Sequence, residues 1–359
     1  MKKKCRLIAF YLPQFHPIAE NNIWWGEGFT EWTNVGKAKP LYRGHDQPKV
    51  PADLGYYDLR VSETRIHQAK LAKNNGIEGF CYWHYWFGNG KKLLERPFSE
   101  VLLSGNPEFP FCLAWANESW KGFAHGLQNR NLLISQEYPG HDDVKNHFFD
   151  VLPALKDKRY IKVNNKPVFL IYKPLNLPEA ALFIKTWNKL ALDNGLSGIY
   201  FIGQSSDINE KENIKKLGFD SINLIRIFDF IKNRSFLTMV IERIKVSFFK
   251  SPKKYNYASV IKYFTGDEDK CVDVHPTIFP NWDHTPRSGY EGIVLHNSTP
   301  EYFKKHVLEI LENIKHKEND TNIVFIKSWN EWAEGNYLEP DIKFGDKYLK
   351  VLKECLFKI

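Results

Sequence analysis

The sequence predicts an α/β fold, a (β/α)8 TIM barrel with long loops, on three observations. Eight short apolar runs recur along the 359 residues, and most are followed by a helical pattern. Polar and aromatic residues cluster after the first, second, third, seventh and eighth runs, and a barrel brings all such strand ends to one rim. No G-x-G-x-x-G follows the first run and no P-loop occurs, so the phosphate-binding turns of an open doubly wound sheet are missing.

The elements follow in order. Residues 6–12 form an apolar strand stopped by Pro13, and an aromatic, acidic loop covers 21–35. A helix over 63–74 is stopped by Gly76. Strands are expected at 77–83 and 110–115, with a Lys/Leu-rich helix over about 91–103 between them. A helix near 142–155 precedes a short strand, an Asn164-Asn165 turn and a strand at 167–172. Pro178 opens a helix to about 193, and the fifth strand is 199–203. A short helix over 210–217 leads to the sixth strand, 221–225. The seventh and eighth strands are 272–279 and 322–326, with helices at 300–315 and 348–356. No repeat and no Gly/Pro/Ser linker divides the chain, so residues 1–359 read as one catalytic domain.

Composition narrows the classes. Hydrophobic residues make up 43% and charged residues 26%, which is globular. Aromatics reach 15%, with 11 Trp, and suit a groove for something both flat and hydroxylated. Of the net charge of +8, residues 226–264 hold +7, from nine basic and two acidic residues. Basicity confined to one segment argues against general nucleic-acid binding. In that insertion Leu237, Ile241, Ile244 and Phe248 share one helical face, accompanied by Arg234, Arg243, Lys245 and Lys250. A basic amphipathic helix of this kind suits an anionic membrane surface, although an ordinary barrel helix fits the same spacing. The five scattered cysteines read as buried thiols, and the basic start at residues 1–4 lacks a signal-peptide core. The expected location is cytoplasmic, at the inner membrane face.

The chemistry concentrates after the eighth strand, in Trp329-Asn330-Glu331-Trp332-Ala333-Glu334-Gly335-Asn336-Tyr337. Two carboxylates lie three residues apart among aromatics, with no Lys or Arg between Lys327 and Lys343 to neutralise them. Removing a carboxylate from water is costly unless it is paired or used. In a helical turn their Cβ atoms lie about 5–6 Å apart, close to the separation of about 5–5.5 Å in retaining glycosidases. On spacing alone either Glu serves as acid. Candidate sugar contacts around them are Tyr11, Gln14 and His16 after the first strand; Trp24, Trp25, Glu27, Glu31 and Trp32 in the loop; His84 and Trp86 after the second; Trp115, Asn117 and Glu118 after the third; Trp282 after the seventh; and Trp329, Asn330, Trp332 and Tyr337 beside the pair. Structural roles compete for several: a capping cluster for Tyr11, Gln14 and His16, a turn cap for Glu27 and Glu31, and a structural histidine for His84. Asp273, His275, Asp283 and His284 match no tight metal spacing, so no metal and no cofactor is expected.

Y-L-P-Q-F-H (Tyr11–His16), W-W-G-E-G-F-T-E-W (Trp24–Trp32), G-F-C-Y-W-H-Y-W-F (Gly79–Phe87), W-A-N-E-S-W (Trp115–Trp120) and W-N-E-W-A-E-G (Trp329–Gly335) together resemble the WbsX-type family of bacterial surface-polysaccharide clusters. That family is related to the glycoside hydrolase family 99 endo-mannosidases and endo-mannanases, which carry E-W-H-E-G where this chain has Glu331-Trp332-Ala333-Glu334-Gly335. The resemblance implies Glu331 as base on a sugar 2-hydroxyl, giving a 1,2-anhydro intermediate, and Glu334 as acid and then base, with net retention. Ala333 replaces the His, and substrate preference is expected to diverge there. The expected function is retaining, glycoside hydrolase-like chemistry on a surface polysaccharide or lipid-linked glycan. The alternatives are a glycosyltransferase of O-antigen or capsule (lipopolysaccharide) biosynthesis and a non-catalytic glycan-binding protein.

Overall fold

The computed structural model describes residues 3–122, 131–232, 234–318 and 320–357; the first two residues of the basic start lie outside that set. Eight parallel strands form the barrel: β1 (Arg6–Tyr11), β2 (Gly79–Trp86), β3 (Phe111–Trp115), β4 (Lys166–Ile171), β5 (Tyr200–Ser205), β6 (Ser221–Leu224), β7 (Val274–Ile278) and β8 (Ile323–Ile326). Each pairs with the next, and β1 pairs with both β2 (Ile8 opposite Gly79) and β8 (Arg6 opposite Ile323), which closes the sheet. Closure leaves no barrel edge unpaired.

All eight expected strands are present, with boundaries shifted by a few residues. The expected helix at 91–103 begins later. Lys92–Leu93 instead forms a short antiparallel pair with Tyr85–Trp86, and the helix runs Arg96–Ser104. The outer helices are α1 (Ser62–Asn74), α2 (Arg96–Ser104), α3 (His141–Leu155), α4 (Ala180–Asp193), α5 (Lys211–Lys216), α6 (Phe236–Phe249) in the insertion, α7 (Pro300–Ile314) and α8 (Lys347–Phe357).

Strand alternation decides which residues fill the barrel and which face the helices. On β1 and β2, Phe10 and Trp83 turn inward and stack at 4.9 Å; Phe10 also stacks on Phe325 of β8 at 5.2 Å. Such pairs add roughly 0.5–1.5 kcal/mol each beyond burial. Tyr11, Phe80 and Tyr82 turn outward and form their own aromatic layer, where Tyr11 donates to Gln68 of α1. At the start of β2, a Cβ on Gly79 would lie 2.4 Å from the Pro110 carbonyl, so only glycine fits.

A second hydrophobic cluster sits at the β6–β7 end, built from Ile227, Phe230, Tyr257, Phe264, Phe279, Trp282 and Leu295. Its backbone frame is a parallel pair, Lys253–Asn256 with Ile293–His296. All five cysteines are free thiols. Cys5, Cys81, Cys112 and Cys355 are buried; Cys271 is exposed, which corrects the reading of every thiol as buried. Among the described residues no helix is long and apolar enough to cross a membrane.

Candidate active site

The carboxylate pair is held by a compact turn at the mouth of β8. Two short antiparallel segments, Asn330–Glu331 and Asn336–Tyr337, flank a 3-10 turn over Trp332–Glu334. Asn330 replaces the sheet ladder beyond β1, with Oδ1 accepting from Leu12 N at 2.7 Å and Nδ2 donating to Leu12 O at 3.0 Å. Trp332 stacks on Tyr337 at 3.8 Å and donates to the buried Glu339. Gly335 closes the turn at φ +60, and a Cβ there would lie 2.7 Å from Asp283, whose N–H donates to the Glu334 carbonyl at 2.6 Å. The turn is therefore pinned from β1 on one side and from the β7 loop on the other.

The carboxyl groups belong to one chain of charges. Glu31 accepts from Arg287 (Nη2 2.7 Å, Nε 2.8 Å), and Arg287 Nη1 reaches Glu334 Oε1 at 2.6 Å. Lys327 Nζ lies 3.7 Å from Glu334 Oε2 and 3.0 Å from Glu331 Oε2. Trp83 Nε1 donates to Glu331 Oε1 at 3.0 Å. The expectation of an unneutralised pair is corrected: Lys327 turns back onto it, and Arg287 arrives from the short helix Thr285–Ser288.

Three carboxylates share two cations in this chain, so one carboxyl group has reason to keep its proton. Burial pushes the Glu331 pKa up to about 7, with Lys327 opposing the shift and Glu334 adding to it. Burial also works against charge on Glu334, but Lys327 and Arg287 outweigh it and hold its pKa below the ordinary value. Glu334 Oε2 is buried without a donor. A proton on Glu331, within hydrogen-bonding reach of Glu334, satisfies it. Below about pH 7 the pair therefore holds one proton, favoured on Glu331, with Glu334 ionised. Glu118, raised by burial, faces the same space.

Two cavities meet at this pair. One, of about 570 Å³, runs under Leu12, Gln14, Trp83, Tyr85, Glu118 and Trp120. The other, of about 1090 Å³, runs past Lys173, Asn176, Gln204, Phe228 and Trp282. Tyr172, Lys327 and Glu334 line both, so Glu334 stands at the junction of a two-lobed cleft, and Glu331 lines the smaller lobe beside it.

The structure brings Gln14, Glu118, Trp282, Glu331 and Glu334 to the cleft. Glu31 reaches it through Arg287, and Trp24 packs edge-on against the cleft residue Trp120 at 6.0 Å. The other candidates lie elsewhere. Tyr11 faces α1; His16 bonds the Pro13 carbonyl; Trp25 stacks on Phe29, and exposed Glu27 accepts from Asn22. Trp32 donates to the Tyr57 carbonyl and packs on Trp332. His84 lies 2.8 Å from His147 on the helix side, where burial lowers its pKa to about 4. Trp86 donates to Asp143, and Trp115 to the Trp86 carbonyl. Asn117 ties β3 to β4, accepting from Lys173 N and donating to Lys173 O. Trp329 packs outward on Phe80, Asn330 clamps β1, and Tyr337 donates to Asp341. Ala333 is fully buried and lines neither lobe, so the expected divergence of substrate preference has no surface there.

Sequence reasoning missed Trp83, Tyr85, Tyr172 and Arg287 as cleft residues. Period-two alternation was the available signal for the first two: Trp83 and Tyr85 share one face of β2, and His84 and Trp86 share the other.

A closed eight-stranded parallel barrel with its polar cleft at the C-terminal ends of the strands is a (β/α)8 fold that carries its site where such barrels do. Known structures agree on the fold. A glycoside hydrolase-like protein superposes with a TM-score of 0.60 at 13% identity, covering 99% of this chain and 94% of the other. The family 99 endo-alpha-mannosidase from Bacteroides thetaiotaomicron superposes with a TM-score of 0.58 at 15% identity, covering 98% and 96%. The chain belongs to the family described as Glycosyltransferase WbsX, whose model matches residues 7–352. It is 35% identical over 352 residues to WxcX proteins from two strains of Xanthomonas campestris pv. campestris, covering 98% of this chain and 49% of theirs. The chain thus spans about half the length of these curated relatives.

Proposed function

We propose that the protein cleaves or transfers glycosidic bonds with retention, using Glu331 and Glu334. The observation that carries this reading is a buried carboxylate pair in a cleft, flanked by Lys327 and Arg287, with surroundings that raise the pKa of Glu331 and lower that of Glu334. Acid/base work on a glycoside needs one carboxyl group protonated and one ionised at the working pH. A cleft that continues on both sides of the pair suits a chain bound across it, with endo action.

The reaction balances as follows. One carboxylate takes the proton of the sugar 2-hydroxyl, whose oxygen attacks C1 to form a 1,2-anhydro sugar. The partner acid protonates the departing oxygen. Water then attacks C1, giving a proton to the second carboxylate, while the 2-oxygen recovers its own. With Glu331 as base, the resting proton must first cross to Glu334 when the sugar enters. Attack from the 2-oxygen requires it to lie trans to the leaving group, so the substrate class is 1,2-trans glycosides with a free 2-hydroxyl. A sugar hydroxyl replacing water makes the same step a transglycosylation, which would reconcile the chemistry with the family's description.

A nucleotide-sugar transferase is less well supported. Arg287 and Lys327 are already engaged by carboxylates, and Glu118 adds further negative charge where a diphosphate would lie. The test is turnover of a panel of 1,2-trans oligosaccharides, with the anomer formed first read by proton NMR. Retention that is lost in Glu331→Gln and Glu334→Gln is expected. Inversion would refute the mechanism. Glycan binding without turnover would establish the binding-protein reading, and nucleotide-sugar turnover surviving Glu334→Gln would establish the transferase.

A further inference from the structure

Helix α6 is turned the wrong way round for a globular protein. It has no buried residue in its 14 positions. Its contact with the body is polar: Glu242 accepts from Tyr255 Oη at 2.7 Å and pairs with Arg234, which donates to the same Tyr255 oxygen at 3.1 Å. The opposite side carries Phe236, Leu237, Val240, Ile241, Ile244 and Phe248, and Phe236, Leu237 and Phe248 are 77%, 67% and 80% exposed. At about 100° per residue these six span a sector of roughly 140°, interrupted only by Ser247. A globular helix buries such a face; here it is exposed, and Glu242 is what ties the helix to the body, with Met239, Val246 and Phe249 beside it.

The charges identify what this face meets. On the helical wheel Arg243 falls at one border of the apolar sector and Lys245 at the other, and both are exposed. Lys250, Lys253 and Lys254 follow directly, in the segment that holds +7 of the chain's +8. Cations bordering an apolar sector on both sides match a bilayer surface, with side chains in the acyl boundary and basic groups at anionic headgroups.

We propose that α6 lies in the plane of an anionic lipid bilayer and anchors the protein there without crossing it. The helix is about 21 Å long and is continuous with the strand Lys253–Asn256. That strand pairs with Ile293–His296, just beyond the short helix carrying Arg287, so the anchor is built on the rim side that holds the carboxylates. The proposal stands apart from the glycosidic reading, because lipid binding is measured without turnover.

The experiment is co-sedimentation of the whole chain with vesicles of phosphatidylcholine containing about one-third phosphatidylglycerol, and with phosphatidylcholine alone. Binding to the anionic vesicles, weakened by added salt, is expected. Arg243→Ala with Lys245→Ala should lower partitioning roughly 25-fold. Ile244→Gln with Phe248→Gln should lower it by about 100-fold. Both pairs are exposed, so near-ultraviolet circular dichroism and turnover of a soluble glycan should match wild type. Three results would overturn the proposal: wild type left in the supernatant, equal binding to both vesicle types, or binding unaffected by either double variant. Concentration-dependent dimerisation abolished by Ile244→Gln, without vesicle binding, would assign the face to a second copy instead.

Discussion

Replacing Glu331 with glutamine should stabilise the protein at alkaline pH while abolishing its activity. The carboxyl binds its proton at about 7 in the folded chain, against an ordinary value of 4.5. A raised folded value means that this group's contribution to stability is complete below pH 4.5 and is lost as pH rises through 7. The full loss is on the order of 3 kcal/mol. Glutamine copies the uncharged acid, its carbonyl accepting from Trp83 Nε1 and its amide donating toward Glu334, at the loss of the Lys327 contact with Oε2. Urea denaturation from pH 5 to pH 8.5 separates the two proteins. Near pH 5 they should differ little. Above pH 7 the variant should be more stable by about 2–3 kcal/mol, because wild type must hold three buried carboxylates against two cations. Glu339, also raised to about 7 by burial, is present in both proteins and cancels in the difference. A variant less stable than wild type at every pH, with an unchanged pH slope, would refute the assignment of the shared proton to Glu331.

Three further outcomes follow from the same charges. Arg287→Met leaves Glu31 buried without its cation and Glu334 with Lys327 alone, and should cost about 3–5 kcal/mol in urea denaturation. Adding Glu31→Gln should restore part of that loss, which a packing defect alone would not allow. In the pH profile of kcat/KM, activity should fall above about pH 7 as the shared proton is lost. Trp83→Phe removes a donor to Glu331 and should move that limb upward by as much as about one pH unit; an unmoved limb would separate Trp83 from the titration.

The barrel was legible because its signals are local. Runs such as 322–326 are short, apolar and bounded, and a helix follows most of them. Glu331 and Glu334 were legible for the same reason, since one turn holds both. Errors arose where the deciding interaction is remote. Arg287 sits in a four-residue helix with no periodicity, and its partners lie 256 and 47 positions away. His84 and Trp86 stand out by residue type, yet β2 shows its other face to the cleft, and parity outranks chemistry on a strand. In the insertion, periodicity gave the apolar face of α6 correctly. That this face points outward depends on the Arg234–Glu242–Tyr255 contact, which is tertiary.

The bridge from Glu31 through Arg287 to Glu334 also sets an order of events during synthesis. Glu31 is fully buried in the finished protein, yet its cation is translated 256 residues after it. Leu12 waits 318 residues for Asn330, and Tyr57 waits 282 for Glu339. A nascent chain that has cleared the ribosome only through β6 already holds Tyr57 and Trp120 for Trp32 and Trp24, but Glu31 has no Arg287. Burying Glu31 at that stage would strand a charge, which is costly. The ion-paired site can therefore close only after residues 287–334 have been made, late in synthesis.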